Sequence, residues 1–171
     1  MNWVQEISIL VLVKQALAEV DKNGLYPYSL PSVGASSEQL VEVASLLGFQ
    51  LDSKYSDFLM SADGWNGFFQ TVDLFGSKDL CGGEKMQLAF NLLGELSDAL
   101  FEQAGVSRVD VLPIAAAMAD KDIFLLAKPD SSVPGVVLWF AGEEIDRFDN
   151  FDEFFLAMVD YNREEFYHIS K

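Results

Sequence analysis

LLGFQLDSKYSDFLMSADGWNGFFQTVDLF, residues Leu46–Phe75, passes from a helical to a strand period and decides how the rest of the chain is read. Just before it, Ser36 and Gln39 have the spacing of a capping box. Leu40, Val43, Ala44 and Leu47 then recur at i, i+3, i+4 and i+7, which predicts an amphipathic helix stopped by Gly48. Asp52 is a good N-cap for a second, short helix that turns Tyr55, Phe58 and Leu59 inward and ends near Ala62. Asp63-Gly64 and Asn66-Gly67 tolerate positive φ, so the chain is expected to turn around Trp65. Phe68–Phe75 reads as one strand, with Phe69, Thr71 and Asp73 on one side and Phe68, Val72 and Leu74 on the other.

Upstream, the apolar positions between Trp3 and Asp21 form a broad stripe, which predicts a largely buried helix ending at Asn23-Gly24. Pro27, Pro31 and Gly34 make Leu25–Ala35 an irregular connector. Downstream, Gly76–Gly83 is expected to be a loop. Met86, Ala89, Phe90, Leu93, Leu96 and Leu100 predict a helix over Glu84–Gln103, in which Gly94 marks either close packing or a break. Leu112–Ala117, Ile123–Ala127 and Val136–Phe140 are apolar runs of strand length and predict an antiparallel meander. Glu144–Phe148 is a polar strand suited to a sheet edge. Asn150 caps a last helix, whose buried side carries Phe151, Phe154, Phe155, Met158 and Val159. The expected fold is a single α+β domain over 1–171: an antiparallel sheet of about five to six strands flanked by helices.

The order of these elements resembles the SUKH superfamily, which includes many bacterial toxin-immunity proteins and the yeast regulator of cell-wall glucan synthesis. Leu112-Pro113-Ile114, the acidic turn Ala119-Asp120-Lys121-Asp122 and the run Asn150-Phe151-Asp152-Glu153-Phe154-Phe155 continue the likeness, which covers most of residues 36 to 161. Asp52 stands where that family usually has proline. The resemblance implies a non-catalytic domain that binds a protein partner. The leading expectation is an immunity protein that neutralises a cognate toxin, and the alternative is an adaptor or regulator with a non-toxin partner.

Composition narrows the function classes. Half of the 171 residues are hydrophobic and 13% aromatic, enough for a sizeable core. A formal charge of −16 and a pI near 4.1 oppose binding to nucleic acid or to an anionic membrane and favour a basic partner. Cys81 is the only cysteine, so no intrachain disulfide forms and a reducing, cytoplasmic compartment is expected. The apolar run Ile7–Val13 follows Gln5 and Glu6 rather than basic residues, unlike a signal peptide, and is too short to span a bilayer.

Catalytic signals are weak. His168, the only histidine, lies in the terminal Asn162–Lys171 segment, where a mobile tail would have to carry any Ser-His-Asp or Cys-His chemistry. A helix start near Cys81 can lower its thiol pKa, but no base neighbours it in sequence. Gly82-Gly83-Glu84-Lys85 lacks the spacing of a phosphate loop. No cofactor and no metal site are expected. Residues 141–165 hold nine carboxylates against two arginines, a local charge of −7. That run reads as a solvated face, as a pair of acid-base carboxylates, or as a surface for a basic protein. Because the toxins of such immunity proteins often act on nucleic acid and have basic clefts, the resemblance favours the third reading. The partner-binding candidates are Glu143, Glu144, Asp146 and Asp149, together with Asp63 and Trp65 at the central turn.

Overall fold

The computed structural model describes residues 1–117 and 119–171. Its elements follow the chain as α1 (Trp3–Val20), α2 (Ser37–Leu47), α3 (Ser53–Ser61), β1 (Trp65–Phe69), β2 (Val72–Leu74), α4 (Ser77–Leu80), α5 (Glu84–Glu95), α6 (Asp98–Ala104), β3 (Val111–Ala117), β4 (Ile123–Ala127), β5 (Val137–Phe140), β6 (Glu144–Phe148) and α7 (Phe151–Ile169). The six strands form one antiparallel sheet in sequence order, so β1 and β6 are its two edges. This is the α+β architecture expected from the apolar runs.

The predicted caps are in place. Ser36 and Gln39 form the capping box of α2. Asp52 accepts from the N–H groups of Lys54 and Tyr55 and so caps α3. Asn150 accepts from Glu153 N at the start of α7.

Helices cover both faces of the sheet. On one, Phe154 of α7 meets Phe68, Phe124 and Phe148, while Trp3 of α1 lies against Phe58 and Phe155. On the other, α5 packs on β3, and Phe101 of α6 meets Phe140 of β5 at 5.9 Å. Phe140 and Trp139 are neighbours on one strand, so alternation sends them to opposite faces.

Five expectations are corrected. Phe68–Phe75 is not one strand but the heart of a hairpin, reversed at Gln70-Thr71, where Gln70 holds φ +49°. Asn66-Gly67 lies inside β1 at an irregularity of register, and Gly67 N–H donates to Asp73 at 2.7 Å. The expected loop Gly76–Gly83 contains the short helix α4. The helix predicted over Glu84–Gln103 breaks at Leu96, where ψ is 137°, and no atom would touch a side chain at Gly94, so the break is the outcome and not close packing. Finally, α1 is not largely buried. Only Trp3, Leu10, Lys14 and Leu17 are buried, whereas Val4 and Leu12 point outward. Lys14 is 2% exposed, and burial pulls its amine down to about 8.

Candidate functional site

The two sheet edges present opposite surfaces. Along β1 the connector covers the edge: Ser32 N–H donates to Gly64 O, Asp63 N–H to Ser32 O, and Ser29 Oγ to Asn66 O at 2.6 Å. Val33 bridges to Ala62, and Gly34 sits so close to the Met60 carbonyl that a side-chain carbon there would collide with it. Trp65 belongs to this covered edge. It is 1% exposed and its indole N–H donates to Ser29 O at 2.9 Å. The expectation that Trp65 offers a recognition surface is therefore corrected: the connector, arriving from a stretch well upstream, roofs it over. Asp63 is engaged as well, accepting from Ser77 N at 2.5 Å and Ser77 Oγ at 2.6 Å at the start of α4.

Among the described residues the β6 edge pairs only with β5. Trp139 faces Asp146 while Phe140 faces Glu144, so Ile145 is an extra, bulged residue, and the acidic run splits across the sheet there. Glu144 goes to the α6 side. It holds Arg147 Nε at 2.7 Å, while Arg147 Nη2 donates to Ala104 O of α6 at 2.7 Å. Glu144 accordingly raises the Arg147 pKa. Asp146 goes to the α7 side, where it accepts from Tyr161 Oη at 2.9 Å and from Arg147 N at 2.8 Å. Burial, reinforced by Asp146, pushes the Tyr161 hydroxyl up to about 12. The second Asp146 bond occupies an N–H that an incoming strand would need. Together with the bulge and the flanking charges, it blunts the edge against strand addition.

Glu143 and Asp149 are exposed at the two ends of β6, roughly 20 Å apart at the usual rise of a strand. The four acidic candidates are thus one strand but not one cluster. Asp63 and Trp65 lie at the opposite edge, about 24 Å away across five strand spacings.

A groove of about 480 Å³ between β6 and α7 gathers a different set: Asp146, Arg147 and Asp149 from the β6 side, Glu153 and Asp160 from the helix, with Leu156 and Phe148 also lining it. Asp160 pairs with Arg163 at 2.7 Å. Asp149 and Glu153 form no ion pair among the described residues. Leu156 and Ile145 are 38% and 44% exposed, so apolar surface accompanies the carboxylates. Glu153, Leu156 and Asp160 were readable as a helical stripe at i, i+3 and i+7. What the sequence withheld was that this stripe faces β6.

The candidate chemical groups are scattered. His168 is exposed on the last turn of α7, which extends through the segment expected as a mobile tail. Cys81 caps α4, and its thiol pKa is raised by partial desolvation and then by Glu42 and Asp63, the reverse of the lowering a helix start suggests. Lys85, in the Gly-Gly-Glu-Lys run, is held by Asp73 at 3.0 Å and Asn66 at 2.6 Å. Among the described residues no group of three or more His, Cys, Asp and Glu is placed to hold a metal ion, and no helix is long and apolar enough to cross a membrane.

The molecule is thus a six-stranded meander with one roofed edge and one acidic, strand-resistant edge. Residues 34–157 match the model of the SMI1 / KNR4 family (SUKH-1), and the chain belongs to that family. Its members are in general non-catalytic immunity or regulatory domains that bind proteins. No curated protein is similar enough in sequence to match the chain.

Proposed function

We propose that this protein is a cytoplasmic immunity protein that binds a basic toxin domain stoichiometrically and blocks it without chemistry. The observation that carries this reading is the pair Asp149 and Glu153, two carboxylates that form no ion pair among the described residues and face one groove beside exposed Leu156. In a chain of net charge −16, such a groove attracts a cationic surface, and the apolar side chain supplies the contact area that charges alone do not. Glu143, at the near end of β6, adds to the attraction during encounter. Glu144 and Asp146 hold the edge in shape.

The test measures binding kinetics against the toxin encoded by the gene immediately upstream, at two salt concentrations. In the variant Glu143→Gln, Asp149→Asn, Glu153→Gln the association rate should fall about tenfold and lose most of its salt dependence, with dissociation changing less. An unchanged association rate would reduce the groove to a solvated face. An upstream gene without toxin modules would favour the regulatory alternative.

A further inference from the structure

We infer that the seam between α1 and α7 binds one internal water molecule, which donates to Asn162 Oδ1 and accepts from Lys14 Nζ. Asn162 is 0% exposed on α7. Its Nδ2 donates to Met158 O at 2.7 Å and to Phe68 O of β1 at 3.2 Å. Both acceptors are carbonyl oxygens, so turning the amide over would set oxygen against oxygen, and Oδ1 is fixed where it stands. Among the described residues Oδ1 is the one buried side-chain polar atom that no protein group meets. A buried acceptor left unmet is costly, and where no protein donor reaches such a group an ordered water ordinarily does.

Lys14 is the independent second observation. It lies on the buried side of α1 with Trp3, Leu10 and Leu17, and among the described residues it forms no ion pair. The two helices bring it to Asn162. Trp3 packs against Phe151 and Phe155 at 5.9 and 5.2 Å, and just past the end of α1 the Tyr26 hydroxyl reaches Glu165, so α1 and α7 run parallel. Lys14 follows Trp3 by eleven residues and Asn162 follows Phe151 by the same eleven, about three turns in each helix. The two polar residues therefore repeat the Trp3 and Phe151 contact three turns further along the seam. The occupant has to give a hydrogen to Oδ1 and take one from an ammonium. An anion cannot do the first and a cation cannot do the second, whereas water does both. Lys14 and Asn162 both lie outside residues 34–157, so this water belongs to the segments that flank the family's core and keys α1 onto it.

A high-resolution crystal structure of the full chain should show a single ordered water within hydrogen-bond distance of both Asn162 Oδ1 and Lys14 Nζ, and its absence in Lys14→Met, an apolar side chain of similar length. In solution, a double-mutant cycle of Lys14→Met and Asn162→Leu, read by denaturant unfolding, should be non-additive: the rise in unfolding constant of the double variant should fall about tenfold short of the product of the two single effects. If Asn162→Leu does not fold, the two crystal structures decide alone. Density without that water, Lys14 bonded directly to Asn162, a water that persists in Lys14→Met, or an additive cycle would overturn the inference.

Discussion

Along β1 the chain has laid its own connector over the strand, with backbone bonds from Ser32 and Asp63 and an indole bond from Trp65, so that the edge is part of the interior. Along β6 no further strand is laid down among the described residues. Its protection is a bulge at Ile145, a carboxylate from Asp146 on the Arg147 N–H, and charge at both ends. Both edges avoid indiscriminate strand pairing, one by burial and one by repulsion. The first solution locks its residues into stability. The second leaves Glu143, Ile145 and Asp149 exposed, and the groove beside β6 does not include the buried Trp65.

That contrast should appear as a hierarchy of effects. Trp65→Ala, on the roofed edge, removes a fully buried indole and its hydrogen bond and should cost about 3–5 kcal/mol in denaturant unfolding. A loss below about 1 kcal/mol would mean that the connector is not part of the cooperative unit. Gly34→Ala should cost about 2–3 kcal/mol, because the added carbon meets the Met60 backbone rather than a movable side chain.

An alkaline titration compares the two edges directly. Tyr26, within the connector, donates to Glu165 at 2.6 Å, and Tyr161, beside β6, donates to Asp146 at 2.9 Å; both hydroxyls stand near 12 against an ordinary 10.0. For Tyr26 the hydrogen bond to Glu165 is the main cause, and for Tyr161 it is burial. The folded state binds the phenolic protons more tightly than the unfolded one. Their contribution is therefore complete below about pH 10 and disappears as pH rises through about 12. Lys14 has the opposite sign. Its folded value near 8 lies below the ordinary 10.5, so stability gains between those two values. The pH profile should rise to a maximum near pH 10 and then fall, and Tyr26→Phe and Tyr161→Phe should each flatten the falling limb. A limb unchanged in both variants would show that neither phenol holds its edge. The smallest effect belongs to β6: Ile145→Ala should shift stability by less than about 0.5 kcal/mol in the same unfolding assay. A cost as large as that of Gly34→Ala would erase the difference between the edges.

Much of this fold was legible in the sequence because its signals are local. Capping at Ser36, Asp52 and Asn150 depends on spacings of two or three residues, and the apolar runs of β3, β4 and β5 declare strands by length. The β1–β2 hairpin was not legible. Its reversal at Gln70-Thr71 lacks the Asn-Gly or Asp-Gly signature, and the two glycine dipeptides that do look like turns are used before and within β1. Trp65 was ambiguous because its burial depends on Ser29, far off in sequence. The acidic run was plain as charge, but its division between two faces rests on one bulged residue, and alternation alone cannot reveal a bulge.

The bulge at Ile145 also bears on how such a surface changes over generations. Glu144 and Asp146 are tied to Arg147, Ala104 and Tyr161, whereas Glu143, Ile145, Asp149, Glu153 and Leu156 hold exposed positions that the rest of the fold does not consult. Inheritance can therefore rewrite the second set one residue at a time while the first keeps the strand in register. Substitution at those exposed positions leaves the packing of the sheet unchanged.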